Sequence, residues 1–510
     1  MRMRHAGLAL AAGFSIAAAA TAAPGDSPAP MQSPQEEAAA DEGALRLFRQ
    51  QLASAEILLQ SGNPQGAYRA FDAAIRDPAF QRLPDPDQRH VLSRAGAAAI
   101  GSDMPSQARD LYRRGTEMGS DDPDDWYRLV RLEFQMGETD RASAALRHFV
   151  QYWPELLPNL DEWLVPQLVF QSDPASQARY ELMQSLLDAN WHDPDTADSI
   201  WYELSVAQLE HGKADAVART IKRIDDPDSI VRLRADKRFD AFISPGADAF
   251  DPVLAARRKL EQLSAIADVS PGKLGPIVQV GNAMLPLGMF DQAIALADKA
   301  LAEIVHAPVG QPPFSDMSEQ VWLMNNRSLA LSAVGRNDEA LEELKRAREL
   351  DEHGEVNVSQ ALNLGSTYCG LQRPRDALSE ISRTGEMSGY GRMVKAIVEH
   401  CAYRQLKDWE NADRALAYMR QHEADAPLVL LEALLREGRM DEAAELVRGL
   451  LADGYKRGEM LEWMQECIIP NPPPGNAVVR ENRGKLLARP DVVAALEPVG
   501  RIAHYPMYCL

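Results

Sequence analysis

The stretch Asp124–Pro154, DDWYRLVRLEFQMGETDRASAALRHFVQYWP, decides the fold. Its apolar residues Trp126, Leu129, Val130 and Phe134 recur at helical steps, stop at Gly137, and resume with Ala142, Leu146, Phe149 and Val150. Three- and four-residue spacing of this kind makes two amphipathic helices, each with one face to bury. At the bend between them, Gly137 can take the left-handed conformation that ends the first helix. Ala142 lies where the second helix crosses the first most closely, and a larger side chain would hold the two apart.

The same register runs through most of the chain. Nine of ten alignable hairpins carry alanine there, at Ala67, Ala108, Ala142, Ala178, Ala293, Ala340, Ala377, Ala412 and Ala443, and Val217 is the exception. Five residues before each lies the bend, and six of those ten places are glycine: Gly62, Gly137, Gly212, Gly288, Gly335 and Gly438. Pro64, Pro105 and Pro374 share a place just past the bend, where a helix start tolerates a missing N–H. Six first helices also carry a small residue facing the crossing: Ala55, Gly96, Ser205, Gly281, Ser328 and Gly365. A fixed period of helix pairs implies a solenoid, because each pair can bury its apolar face only against its neighbours.

This pattern resembles the tetratricopeptide repeat (TPR) family. The nearest units are Asp124–Pro154, with Trp126, Leu129, Gly137, Ala142 and Pro154 in the family's positions, then VGNAMLPLGMFDQAIALADKAL from Val280 and LALSAVGRNDEALEELKRAREL from Leu329. Successive register residues are separated by 41, 34, 36, 39, 76, 47, 37, 35 and 31 positions, against about 34 in the regular repeat. Several units are degenerate: Val130, Pro166, His400 and Leu431 replace the small residue of the first helix, and Pro166 should kink or shorten its helix. The expected fold is all-α, a solenoid of TPR-like hairpins with a helical C-terminal cap.

Six segments are expected along the chain. Residues 1–23 read as an export signal, with basic Arg2 and Arg4, an apolar run from Ala6 to Ala20, and a small-residue cleavage site before Pro24. Residues 24–43, rich in Pro and Ala, read as a disordered spacer. An N-terminal lobe (44–225) and a C-terminal lobe (269–455) flank an irregular helical joint (226–268), which fills the step of 76 without the repeat motif. Residues 456–510 would supply the cap that a solenoid end needs. Export implies a periplasmic chain, with secretion beyond the outer membrane as a further destination, and no stable membrane insertion.

The net charge of −21 becomes −23 once Arg2 and Arg4 are cleaved. Such a surface argues against nucleic acid, which needs a positive field; it keeps a long molecule soluble and would attract a basic peptide or protein. Four cysteines can pair in three ways. Cys369 and Cys401 fall on first helices of successive repeats within about one turn in register, which leaves Cys467 with Cys509 to tie the tail to the last helical unit. Buried free thiols are the alternative. No CxxC is present, so a redox-active dithiol motif is not supported.

Catalytic and nucleotide signatures are missing: His422-Glu423 lacks the second histidine of HExxH, with Ala426 in its place, and there is no GxxxxGK[ST], GxGxxG or GxSxG. The expectation is no enzyme, no cofactor and no metal. Glu399-His400-Cys401 reads as a partly buried helix face beside a disulfide. Acidic runs such as Asp121–Asp125 and Asp225–Asp228 sit at helix starts, where carboxylates satisfy free N–H groups.

Aromatic distribution is what remains. Five of eight tryptophans, Trp126, Trp153, Trp163, Trp191 and Trp201, lie within 76 residues. The resemblance puts Trp126 and Trp201 in the core, and implies a ligand in the concave groove lined by first helices. On that register the groove side carries Tyr127, Arg131, Phe134 and Gln135 in the third unit, Trp163, Gln167, Phe170 and Gln171 in the fourth, and Tyr202 in the fifth. Rigid aromatics beside amides can stack on a peptide or a sugar face; the alternative is packing between units. The resemblance implies a non-enzymatic scaffold of the bacterial cell envelope holding a partner protein or peptide. A carbohydrate-associated module guiding an envelope polysaccharide is the second reading. An enzyme with an unrecognised site in Ser229–Leu263 is the third.

Overall fold

The computed structural model describes residues 34–194, 196–244, 246–351 and 357–509, so the expected export signal and the first ten residues of the spacer lie outside the described residues. The chain falls into two compact units, Met1–Asp125 and Trp126–Leu510.

In the first unit, α1 (Pro34–Gln60) and α2 (Pro64–Arg76) form one hairpin, and α3 (Asp85–Gly101) and α4 (Pro105–Glu117) the next. Helix α1 starts ten residues ahead of Ala44, inside the segment expected to be a disordered spacer. The sequence PQEEAAADEG accounts for this, since Pro suits a first helical turn and Ala and Glu are strong helix formers. The core contains Phe48, Phe71, Phe80 and Leu92. Gly96 is required at its crossing, because a Cβ there would lie 2.7 Å from the Tyr112 ring of α4.

The second unit continues the hairpins. Helices α5 (Pro123–Gln135) and α6 (Thr139–Tyr152), α7 (Leu164–Gln171) and α8 (Gln177–Asp188), and α9 (Ala197–Glu210) and α10 (Ala214–Thr220) precede α11 (Pro227–Ala235) and α12 (Pro252–Val269). Then come α13 (Gly275–Met284) and α14 (Phe290–His306), α15 (Gln320–Ala333) and α16 (Asn337–Arg348), α17 (Val358–Gly370) and α18 (Pro374–Ile381), α19 (Gly389–Leu406) and α20 (Trp409–Gln421), and α21 (Pro427–Glu437) and α22 (Met440–Ala452). The stretch without the motif is therefore itself a helix pair, α11 with α12. Pro166 shortens α7 rather than kinking it: the helix begins at Leu164, so the proline stands in the first turn, where no intrahelical N–H is missed.

Backbone conformation at the bends follows the register closely. All six register glycines have positive φ, between 67° and 83°, and Asp103, Gln372 and Lys407 take φ of 57°, 59° and 61° at the same place. The crossings are equally regular: the Ser328 hydroxyl donates to the Ala340 carbonyl at 2.8 Å, and a Cβ on Gly365 would lie 2.7 Å from Ile381. Ala178 is only half-buried; the other register alanines and Val217 are buried.

After α23 (Arg457–Met464) the cap departs from the expected helical tail. A short strand β1 (Glu466–Ile468) precedes α24 (Ala477–Leu487) and α25 (Pro490–Leu496), and a second strand β2 (His504–Tyr508) pairs parallel with the first. The pairing runs from Glu466 with His504 to Ile468 with Tyr508 and slips between them. Pro506 falls in the slip, and proline has no N–H to give to a ladder. The disulfide Cys467–Cys509, with Cα atoms 5.9 Å apart, ties the strands together, and Cys369–Cys401, at 6.3 Å, ties α17 to α19.

This tail closes the C-terminal repeats on themselves. Helix α23 packs on α11, with Arg232 paired to Glu462, while Lys237 N–H donates to Val499 and Arg501 N–H to Ala235, both at 3.0 Å. Elsewhere it donates to carbonyls at or just past the ends of first helices. Asn471 donates to the Ala333 carbonyl at 2.7 Å and Asn482 to that of Leu435 at 2.8 Å, and Tyr508 N–H reaches Pro286 at 2.9 Å. A large core cluster lies at this closure, around Leu431, Leu434, Met460, Met464 and Leu496.

Candidate ligand-binding face

Helices α5 and α7 turn their polar-aromatic sides to solvent. The i, i+4, i+7, i+8 spacing aligns Trp163, Gln167, Phe170 and Gln171 on one face of α7, with Trp163 44% and Phe170 49% exposed. Among the described residues nothing covers these rings. Leu164, Leu168 and Val169, on the opposite face, are buried and hold the helix in place. The Gln171 amide donates to Gln167 Oε1 at 2.5 Å, which orders the amides between the rings.

The α5 side joins this surface. The Phe134 and Trp163 rings are 6.0 Å apart between centroids, in a tilted arrangement. Arg131 and Gln135 are exposed, and Tyr127 and Phe134 are half-buried. The Arg131 guanidinium lies 5.9 Å from the Tyr127 ring centroid and 3.5 Å from the Asp161 carboxylate, and Tyr127 Oη accepts the Asp161 N–H at 3.3 Å. Eight of the nine residues read from sequence as groove-lining are thus at least partly open to solvent.

Tyr202 is the correction. It is 1% exposed, 6.1 Å from the Phe239 ring and 5.6 Å from the Arg232 guanidinium, and faces Gly458 of α23. Burial and the nearby Asp236 and Glu203 raise its hydroxyl pKa strongly. The closing tail, which carries no repeat register, covers the side of α9 that the register leaves open.

From Asp161 the surface leads into a cleft of about 660 Å³. Its walls are Pro154–Val165, the α8–α9 connection with Trp191, His192 and Asp193, and the Leu263–Gln279 and Asp316–Glu319 segments. Trp191 is half-buried and meets Trp201 edge to face at 6.1 Å. Asp193 accepts Thr196 N–H at 2.8 Å, and Asp316 accepts Leu274 and Gly275 N–H at 2.7 and 2.9 Å. Sequence reasoning missed this cleft because much of its wall is made of connections, which follow no helical period, and Trp191 was the signal within them.

Gln279 and Leu263 also line a second cavity of about 400 Å³ with Asp226, Asp228, Lys259, Asn282 and Tyr508. Every cation near Asp228 is engaged elsewhere: Arg258 with Asp225, Lys259 with Asp226 at 3.0 Å, and Arg232 with Glu462. Surrounding protein and then the charges of Asp226 and Glu462 push the Asp228 carboxyl up to about 6. Among the described residues no serine, histidine or free thiol lines this cavity beside it. His400 is buried, its Nε2 2.8 Å from Glu437, on the helix that carries Cys401. Among the described residues no group of three or more His, Cys, Asp or Glu is placed to hold a metal ion.

No protein-family profile matches the chain, and no curated protein sequence does. Among solved structures it is similar to the crystal structure of yeast Tom70, at 9% identity and a TM-score of 0.30, over 89% of this chain and 99% of that one. The helical-repeat architecture stands on the hairpins themselves, their αL bends and their small crossing residues.

Proposed function

We propose that this chain is a non-enzymatic interaction scaffold that holds a partner polypeptide across the α5–α7 face. The observation that carries the reading is the neighbouring exposure of Trp163 and Phe170, flanked by Gln167 and Gln171. Two open rings on a short rigid helix offer anchoring area at low entropic cost, as binding hot spots do. We place the scaffold in the periplasm of a bacterial envelope. The N-terminal export signature and two disulfides, which persist in oxidising compartments, support that, and among the described residues no helix is long and apolar enough to cross a membrane.

The same rings and amides also suit the face of a sugar, which supports an envelope polysaccharide as the second reading. Pull-down from envelope extracts with the wild type and the Trp163→Ala, Phe170→Ala variant tests the proposal: a protein lost selectively with the variant is the expected result. Identical protein profiles would remove the peptide reading, and binding of a glycan array by the wild type alone would then favour polysaccharide.

A further inference from the structure

We infer that the partner segment is basic and extended, and that it runs from the α5–α7 aromatics into the cleft beyond Asp161. This rests on the scaffold reading and adds a chemistry to it. The cleft is lined by Asp161, Glu162, Asp193, Asp316 and Glu319 against Lys273 and His192. Two of those carboxylates have a local reason to be there, since Asp193 and Asp316 bind N–H groups where α9 and α13 begin. A helix start carries about half a positive charge, so the Asp316 carboxylate is only partly offset by the start of α13 and still projects a negative field. Asp161 and Glu162 come on top of that. Glu162 is exposed, and Asp161 meets Arg131 only at 3.5 Å.

Apolar area is interleaved with the charge. Trp191 and Ile266 lie in the cleft, Ile266 openly exposed, and Trp163, whose ring is 6.0 Å from that of Phe134, directly follows the lining residue Glu162 in the chain. A segment alternating cationic and apolar side chains satisfies both, its cations near the carboxylates and its apolar groups on the rings. An acidic segment would meet like charge at Asp161, Glu162 and Asp316.

Three labelled 12-residue peptides test this on the full chain: repeating Lys-Leu-Lys-Phe, and the same with Gln or Glu at every Lys. The lysine peptide should bind best and the glutamate peptide worst, with the lysine peptide losing affinity as salt rises. Asp161→Asn with Glu162→Gln should weaken it about fivefold, in keeping with two partly screened pairs, and Trp191→Ala should weaken it too. Lys273→Glu, on an exposed side chain, should strengthen it about threefold, which guards against a loss caused by misfolding. Glu410→Gln with Glu481→Gln, equally neutralising and outside the cleft, should leave affinity within about twofold.

Equal loss in that control pair would overturn the site, since net charge alone would then explain binding. Equal binding of the glutamine and lysine peptides would overturn the basic preference; if that binding fell with Trp163→Ala, Phe170→Ala, the scaffold reading would still stand. No binding by any of the three would overturn the basic-segment inference and leave the pull-down to decide the scaffold.

Discussion

Replacing Gly458 by alanine probes the closure of α23 on α9 and α11. An added Cβ would run into the Tyr202 hydroxyl and lie 2.8 Å from Cζ and 3.0 Å from Cε1. Tyr202 cannot swing aside, because Phe239 and Arg232 hold its ring and it is buried. Overpacking of this kind costs about 1–3 kcal/mol, against about 1 kcal/mol gained by Gly→Ala in a helix, so the net expectation is a loss of up to about 2 kcal/mol. Tyr202→Phe removes the colliding oxygen, which has no hydrogen-bond partner among the described residues, and should be neutral or stabilising by about 1 kcal/mol. Combining the two should recover part of the loss and leave a favourable coupling of about 1 kcal/mol. Solenoids need not unfold in one step, so the assay is amide hydrogen exchange within α11 and α23, alongside denaturant midpoints. Unchanged exchange in Gly458→Ala, or effects additive within about 0.5 kcal/mol, would refute the packing described here.

Other outcomes follow from the bends, the bridges and the buried charge. Gln372→Gly and Lys407→Gly should each raise stability by about 1 kcal/mol, because a side chain in the left-handed region costs about 1–2 kcal/mol, and Gly438→Ala should lower it by a similar amount; thermal melts that rank them otherwise would contradict the register. Intact mass with and without reduction should count two bridges, and peptide mapping should give Cys369–Cys401 and Cys467–Cys509; loops of 32 and 42 residues predict up to about 4 kcal/mol lost per bridge on reduction, and four alkylatable thiols in the native chain would refute the pairing. Asp228 titrates near 6 in the fold against 3.8 ordinarily, so its favourable contribution is full below about pH 4 and is lost as pH rises through about 6. Asp228→Asn should therefore melt above the wild type at pH 7.5, with the gap closing toward pH 4.5, and a gap independent of pH would place the cause elsewhere.

What could be read from sequence was whatever repeats. Alanine at the crossing and glycine at the bend are local steric demands, so they mark each hairpin, and even Asp103, Gln372 and Lys407 obey the register with the wrong residue type. The disulfide pairing was legible because helical register puts Cys369 and Cys401 on neighbouring first helices. The exposed rings of α7 were legible for the same reason.

Long-range contacts that do not repeat were hidden. Tyr202 has the register of a groove residue, and its burial depends on Gly458, more than 250 positions later in the chain. Much of the cleft wall is made of connections, and the tail pairs two short strands beside its helices; the positions of both are set by what they pack against. The helical start at Pro34 was obscured by the prolines before it, although PQEEAAADEG has strong helix propensity of its own.

The central claim is a partner site on the α5–α7 face continuing into the acidic cleft. Hydrogen exchange of the full chain with and without the Lys-Leu-Lys-Phe peptide tests it most directly. The account predicts slowed exchange in 127–135, 160–171, 189–193 and 263–279, with little change across 374–421. Protection confined to 374–421 or spread evenly over the acidic surface would contradict it.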